Sequence, residues 1–356
     1  MSSMRTVQLL DFESSADDGF VGWLENTNRT VVVSHSNKVL ACGRDMNGEL
    51  SIDQVMFDRV TGVCNAADGS LLIVAHHELW RMTDAVSPGD TSPTGADRWL
   101  MCRTARFVGG VRPADPVAVG DDCWFVSVTL SAVCSLHETF SAHVRWVPEF
   151  ISEVRPEMRC RLTGLGSRDG TPSVVTSAST SNVAGGWTDH KGSGGVLIDI
   201  ATNEVLATGL SMPHSPRWYR GAWWLVQAGT GELGYIDGGK FVAVAGIDGF
   251  ARGLCISDGI AILGGSGSRW DELVDGLPIG DRLRASGTPI ESGVFMFDLD
   301  SGRRTGSLRL AGTAREIADI VVLADTRSVE LSSPRGSVAQ DWTTYPTDGE
   351  LSIGTE

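Results

Sequence analysis

The chain has 356 residues, 42% of them hydrophobic, enough to bury a large core as two domains or as one extended all-β architecture. Its 29 basic residues face 44 acidic ones, and a net charge of −15 repels phosphate backbones, which argues against a nucleic-acid partner. No apolar run reaches the roughly 18 residues of a membrane helix, and the opening "MSSMRTVQLLDFESS" lacks the apolar stretch of a signal peptide, so a cytoplasmic protein without membrane association is expected.

The first apolar runs are "TVVVSHS" (30–36), "KVLACGR" (38–44) and "ELSIDQVMF" (49–57), three short strands with no fourth beside them in sequence. A unit then recurs: a turn with Asp or Gly, an apolar strand, a short turn and a second strand. It is seen in "DGSLLIVAHHELWRM" (68–82), "GDDCWFVSVTLSAVCSL" (120–136), "DGTPSVVTSAST" (169–180), "RGAWWLVQAGTGELGYID" (220–237) and "DGIAILGGSGS" (258–268). The strands begin near Gly69, Asp122, Thr171, Gly221 and Gly259, at gaps of 53, 49, 50 and 38 residues. That is the period of a four-stranded propeller blade. The last of these five blades, residues 252–310, is interrupted by a Gly- and Arg-rich insertion. Next comes "EIADIVVLAD" (316–325), an inner strand with no partners after it. Its partners are expected at the other terminus, with 316–324 pairing beside 30–36. One composite blade would then close the ring and remove the sheet edges.

The expected fold is therefore an all-β, six-bladed propeller over residues 1–325. The alternatives are a seventh blade or a pair of β-sandwiches. Residues 326–356 are polar and read as a surface wrap or a disordered tail. The seven cysteines are scattered and never form CxxC, so they read as small buried hydrophobes in a reducing compartment. "GSGSRWDEL" (265–273) has the look of a phosphate loop, but no GK[ST] follows; it reads as a blade turn with Arg269 at a rim.

Two motifs are more specific. "SMPHSPRW" (211–218) and "GFARGL" (249–254), together with "RWVPEFIS" (145–152) and "GGVLIDIATNEVLATGL" (194–210), resemble a bacterial domain-of-unknown-function family of conserved hypothetical proteins. The resemblance spans roughly residues 60–325 and implies a six-bladed propeller, with no activity attached. Where that family's pattern has a histidine opening the third inner strand, this chain has Asp115. Where it has His-Leu-Asn-Gly opening the fourth, this chain has "RLTG", with Arg161 and Thr163. His214 is kept. Three imidazoles near the axis would suit a metal; with two replaced, no metal and no cofactor are expected.

In a propeller the inner strands surround a central channel, and residues at their mouths converge. The blade map places Thr61, Asp115, Arg161, His214, Arg252 and Glu316 there, one per blade. Pro213 and Pro216 stiffen the segment that carries His214. Arg217, three residues on, braces the same turn or joins the site. Of the neighbours His76 and His77, only one can face the channel, and His77 is assigned to it. Guanidinium forks match carboxylate or phosphate, and a histidine among them suits proton transfer near neutral pH. The leading expectation is thus proton-transfer chemistry of lyase, isomerase or cyclase type on an anionic small molecule. His214 would be the acid/base, with Asp115 and Glu316 as catalytic carboxylates. Arg161, Arg252, Arg217, Thr61 and His77 would bind the substrate. The alternatives are a non-catalytic propeller that binds a ligand or protein, a divalent-metal enzyme using His214, Asp115 and Glu316, and a purely structural corner at "SMPHSPRW".

Overall fold

The computed structural model describes residues 5–8, 12–267, 276–312, 316–333, 342–347 and 350–355. Six antiparallel sheets stand in a ring, each with its first strand innermost. Blades 1 to 4 begin with the inner strands Gly62–Asn65, Pro113–Val119, Leu162–Arg168 and Pro213–Tyr219. Blade 5 begins with Phe250–Ser257. Blade 6 is composite: its inner strand Ile317–Leu323 pairs with Thr30–His35, which is followed by Lys38–Arg44 and Leu50–Met56. The expected pairing of the two chain ends is present, with Ile317 opposite His35 and Leu323 opposite Thr30. Neighbouring inner strands touch all the way round, so the ring is closed.

Blades are sandwiched between blades, so both faces of a central strand are buried. This is why Thr30–His35 and Leu71–Val74 are buried throughout and read as continuous apolar runs, without the alternation of a one-sided sheet. Of the cysteines, Cys42, Cys123, Cys134 and Cys160 are fully buried in strands or beside them, and all seven are free thiols.

Three features at the ring's closure were not legible in the repeat. A helix at Asp18–Thr27 inserts Phe20, Val21 and Leu24 between blades 5 and 6, where they pack with Val33, Leu40, Val294 and Met296. Asp17 caps it, accepting from the Phe20 amide at 2.9 Å and from Ser307 of blade 5. The strand Phe12–Ala16 extends blade 5 outward against Arg304–Gly312. On the far side, Val329–Ser332 joins the outer edge of blade 1 in parallel with Arg98–Met101, so the segment after 325 contributes to a sheet. The blade 5 insertion includes a helix at Pro278–Ser286. Its preceding residues 268–275, Arg269 among them, lie outside the described residues. No helix among the described residues is long and apolar enough to cross a membrane.

Candidate functional site

Each inner strand opens with the same local design, and its depth in the channel is set by one alternation. The dipeptides Thr61-Gly62, Ala114-Asp115, Thr163-Gly164, His214-Ser215, Arg252-Gly253 and Ala318-Asp319 occupy equivalent places in blades 1 to 6. Their second residues alternate between glycine and a short polar side chain. Asp115 of blade 2 accepts from the Leu165 amide of blade 3 at 3.0 Å. Ser215 of blade 4 accepts from the Gly253 amide of blade 5 at 3.2 Å, and Asp319 of blade 6 from the Val63 amide of blade 1 at 3.2 Å. The intervening blades need glycine because atoms of neighbouring blades crowd them: a Cβ on Gly62 would stand 2.3 Å from Pro116 Cδ of blade 2. A Cβ on Gly164 would stand 2.8 Å from Asp115 Oδ2, and one on Gly253 would stand 2.7 Å from the Asp319 Cα. Ladder register slips here in blades 2 to 6, which is how side chains at a strand's mouth are turned to the axis.

Across this tier lies Arg217. Its Nη2 is 2.9 Å from Asp115 Oδ1 and 3.2 Å from Asp319 Oδ1, and its Nε donates to the Leu254 carbonyl at 2.9 Å. The two carboxylates hold the Arg217 guanidinium above its ordinary pKa against the burial that opposes it. Asp319 is raised to about 7, first by burial and then by the Asp115 charge. Asp115 and Arg217, expected as a catalytic carboxylate and a substrate contact, are therefore consumed in a cross-axis ion-pair cluster. Neither lines the open pocket. Asp319, the cluster's third member, was missed.

The open funnel lies on the mouth side of that cluster. Three residues before each alternating position stand Arg59, Arg112, Arg161, Met212, Phe250 and Glu316, and all six line the funnel. Arg59, Arg112, Arg161 and Met212 each adopt a left-handed backbone, φ 48°, 47°, 55° and 47°. Non-glycine residues are uncommon there, and four at one structural position mark a constrained strand mouth. The funnel has two unlike halves. Arg59, Arg112, Thr61 and His76 line one side, and Met212, Ala228, Phe250 and Leu277 line the other. Arg161, Arg252 and Glu316 belong to both halves.

The charges do not balance. Arg252 Nη1 is 2.9 Å from Glu316 Oε1, while its buried Nε has no acceptor among the described residues. Arg161 pairs with no carboxylate of the described residues; its guanidinium lies 4.3 Å from the Trp187 ring centre. Burial and then the nearby Arg252 pull the Arg161 pKa down to about 10. Among the described residues, four guanidiniums thus share the funnel with one carboxylate. His214 is buried, with Nδ1 3.0 Å from the Thr163 carbonyl of blade 3. A carbonyl only accepts, so Nδ1 carries the proton and Nε2 offers its lone pair. Burial, Arg252 and Arg161 hold the imidazole well below its ordinary pKa, so it is neutral at pH 7.

Of the expected site residues, Arg161, His214, Arg252, Glu316 and Thr61 meet at the funnel. Thr61 hydrogen-bonds the Pro113 carbonyl at 2.6 Å. His77 does not meet them: it is exposed, with Nδ1 3.1 Å from the Gly109 carbonyl, and His76 takes the place at the funnel wall. His214, Asp115 and Glu316 do not gather as a metal trio. Among the described residues the one such trio is Asp58, His76 and His77. Arg59 and Arg112 were missed too. The signal was present in "RVTG" (59–62) and "RLTG" (161–164), which repeat the same arginine three residues before the same glycine.

Residues 18–331 match the family described as a domain of unknown function, DUF4915, and the chain belongs to that family. No functionally curated protein matches it by sequence. Among solved structures, it is similar to a chain of a nidogen/laminin complex at 9% identity and a TM-score of 0.49, covering 83% of this chain and 99% of that one. It is also similar to virginiamycin B lyase from Staphylococcus aureus at 10% identity and a TM-score of 0.40, covering 87% and 100%. A gluconolactonase from Xanthomonas campestris shows 12% identity and a TM-score of 0.45, covering 90% and 93%. These are likenesses of backbone shape alone.

Proposed function

We propose that this DUF4915 protein binds an amphipathic organic anion in the axial funnel and transfers a proton on it through His214. The observation that carries the reading is the charge imbalance: Arg59, Arg112, Arg161 and Arg252 against Glu316, beside a wall of Met212, Phe250 and Leu277. Arg59 and Arg161 are half-buried with no counterion among the described residues, which is costly, and an anion with an apolar arm would relieve the cost and fill the other half. A carboxylate or phosphate would sit between the Arg161 and Arg252 guanidiniums.

The proton-transfer step follows from linkage. In the free protein burial first, and then the charges of Arg252 and Arg161, suppress the basicity of His214. An anion neutralises the two charges and so removes their part of the suppression when the substrate is in place. Its Nε2 then accepts a proton from a carbon or hydroxyl of the ligand, and the arginines stabilise the negative charge left behind. Elimination, isomerisation and ring closure all begin with such a step. A second reading, a ligand-binding propeller without turnover, is favoured by the Arg252–Glu316 and Arg217–Asp115–Asp319 pairs, which are already satisfied in the free protein.

The test has two stages. A thermal-shift screen of aryl- and alkyl-substituted carboxylates and phosphate monoesters should yield compounds that stabilise the wild type and not Arg161→Gln. Hits dominated by neutral or cationic compounds would overturn the anion site. With a bound anion in deuterated water, nuclear magnetic resonance should show exchange at a ligand carbon that disappears in His214→Ala. Binding without exchange would leave the non-catalytic reading.

A further inference from the structure

A second group of side chains at the funnel's rim takes no part in that reading. Asp58 lies on the link from blade 6 into blade 1, and His76 and His77 form the tight turn after the blade 1 strand Leu71–Val74. Two backbone hydrogen bonds fix the turn: the His76 amide donates to the Asp58 carbonyl at 3.1 Å, and the Val108 amide donates to the His77 carbonyl at 2.7 Å. One donor atom from each of Asp58, His76 and His77 lies within 4.8 Å of the others, and the imidazole centres are 3.9 Å apart.

We infer that Asp58, His76 and His77 form a binding site for a borderline divalent transition cation such as zinc or cobalt, at the rim of the axial funnel. Three observations carry it. The donor set is two imidazoles and one carboxylate, which zinc-class ions take as three ligands of a tetrahedron, leaving a fourth position open. The tautomer of one ligand is already set: the Gly109 carbonyl, 3.1 Å from His77 Nδ1, requires the proton on Nδ1 and turns the Nε2 lone pair outward. A backbone carbonyl in that role is the usual outer-shell support of a metal-bound histidine. Finally, the fourth position has an outlet. His76 lines the funnel wall beside Arg59 and Arg112, so the open coordination position of a bound cation would face the space where those two guanidiniums point.

The neighbouring arginines set the character of the site. Asp58 supplies one negative charge, while Arg59 and Arg112 oppose a divalent ion. Affinity should therefore be moderate for the cation alone and rise when an anion occupies the funnel, the two ligands favouring each other reciprocally. The axial trio considered from the sequence is a different set of residues, and the rim site is independent of whether His214 transfers a proton.

The test uses the full chain, stripped with a chelator and then titrated with zinc in competition with a chromophoric chelator, and separately with cobalt followed by visible absorption. The expected result is one equivalent bound, with the intense ligand-field bands of low-coordinate cobalt. His76→Gln and His77→Ala should each weaken binding at least tenfold, and Asp58→Asn about tenfold. The control His137→Ala/His143→Ala removes the other close histidine pair, whose rings are 6.1 Å apart, and should change nothing. Circular dichroism and melting curves confirm that each variant is folded. A wild type that binds no stoichiometric zinc, or binding that survives loss of His76 and His77, would overturn the site. So would binding that follows His137 and His143. Anion binding to the metal-free protein is measured separately, by the thermal-shift screen.

Discussion

If Arg161 is held in place for a ligand, removing its charge should stabilise the empty protein. Arg161→Gln is the perturbation: it keeps most of the stem, removes the charge, and leaves the left-handed backbone cost (φ 55°) in place. Burial and Arg252 take the guanidinium from its ordinary 12.5 to about 10. At about 1.36 kcal/mol per decade, this corresponds to roughly 3 kcal/mol against the charged form. Arg161 keeps some solvent contact, so screening reduces that to about 1–2 kcal/mol. Losing the Trp187 ring contact takes back about 0.5–1 kcal/mol. The net expectation is a gain of about 0.5–1 kcal/mol, a rise of roughly 1–3 °C in melting temperature for a chain of this size. The assay is urea unfolding followed by tryptophan fluorescence in buffer free of phosphate and sulfate. Adding sulfate should stabilise the wild type more than the variant and narrow or reverse the gap. A variant less stable than wild type by more than 1 kcal/mol without anions would refute the argument and make Arg161 a structural residue.

Other expectations follow from the same structure. Asp319, raised to about 7 by burial and Asp115, is protonated more readily folded than unfolded, so it stabilises fully below its ordinary 3.8 and that contribution is lost as pH rises to 7. Relative to wild type, Asp319→Asn should thus gain stability between pH 4 and pH 7, by no more than about 4 kcal/mol; a gap independent of pH in denaturant titrations would contradict this. His214 carries the opposite sign: its depressed pKa removes stability as pH falls below 6.5, and His214→Gln should flatten that acid limb. Phe20→Ala, which empties the wedge between blades 5 and 6, should cost about 3–5 kcal/mol, and deleting residues 316–356 should unfold the ring cooperatively. A truncated chain as stable as the whole would mean that the composite blade does not close the ring. Arg252→Ala should weaken binding of a funnel anion by about 2–5 kcal/mol in calorimetry, while Trp80→Phe, in the third strand of blade 1, should leave it unchanged.

Blade number, blade order and closure through both chain ends were determined by the sequence, because each depends on local periodicity. An apolar strand reads as apolar wherever its partners are, and a strand without neighbours at each end implies a shared blade. The convergence of His214, Arg252, Arg161 and Glu316 followed from that map. Depth in the channel did not. A slip of one residue at the strand mouths moves a side chain from the open funnel to the closed tier, and the six residues read as one ring come from three levels. The alternation of Thr61-Gly62 and Ala114-Asp115, repeated at Thr163-Gly164 and Ala318-Asp319, encodes the level but acquires meaning only when the blades stand side by side. Whether a charged group is free or spent was likewise decided by tertiary structure. Asp115 and Arg217 neutralise each other across 102 positions of sequence, and Asp319 meets Arg217 across another 102. Arg161, chemically the same as Arg217, finds no carboxylate among the described residues. Ring closure brings these distant charges to 2.9 and 3.2 Å, and at that range pairing outweighs any property the residues carry alone.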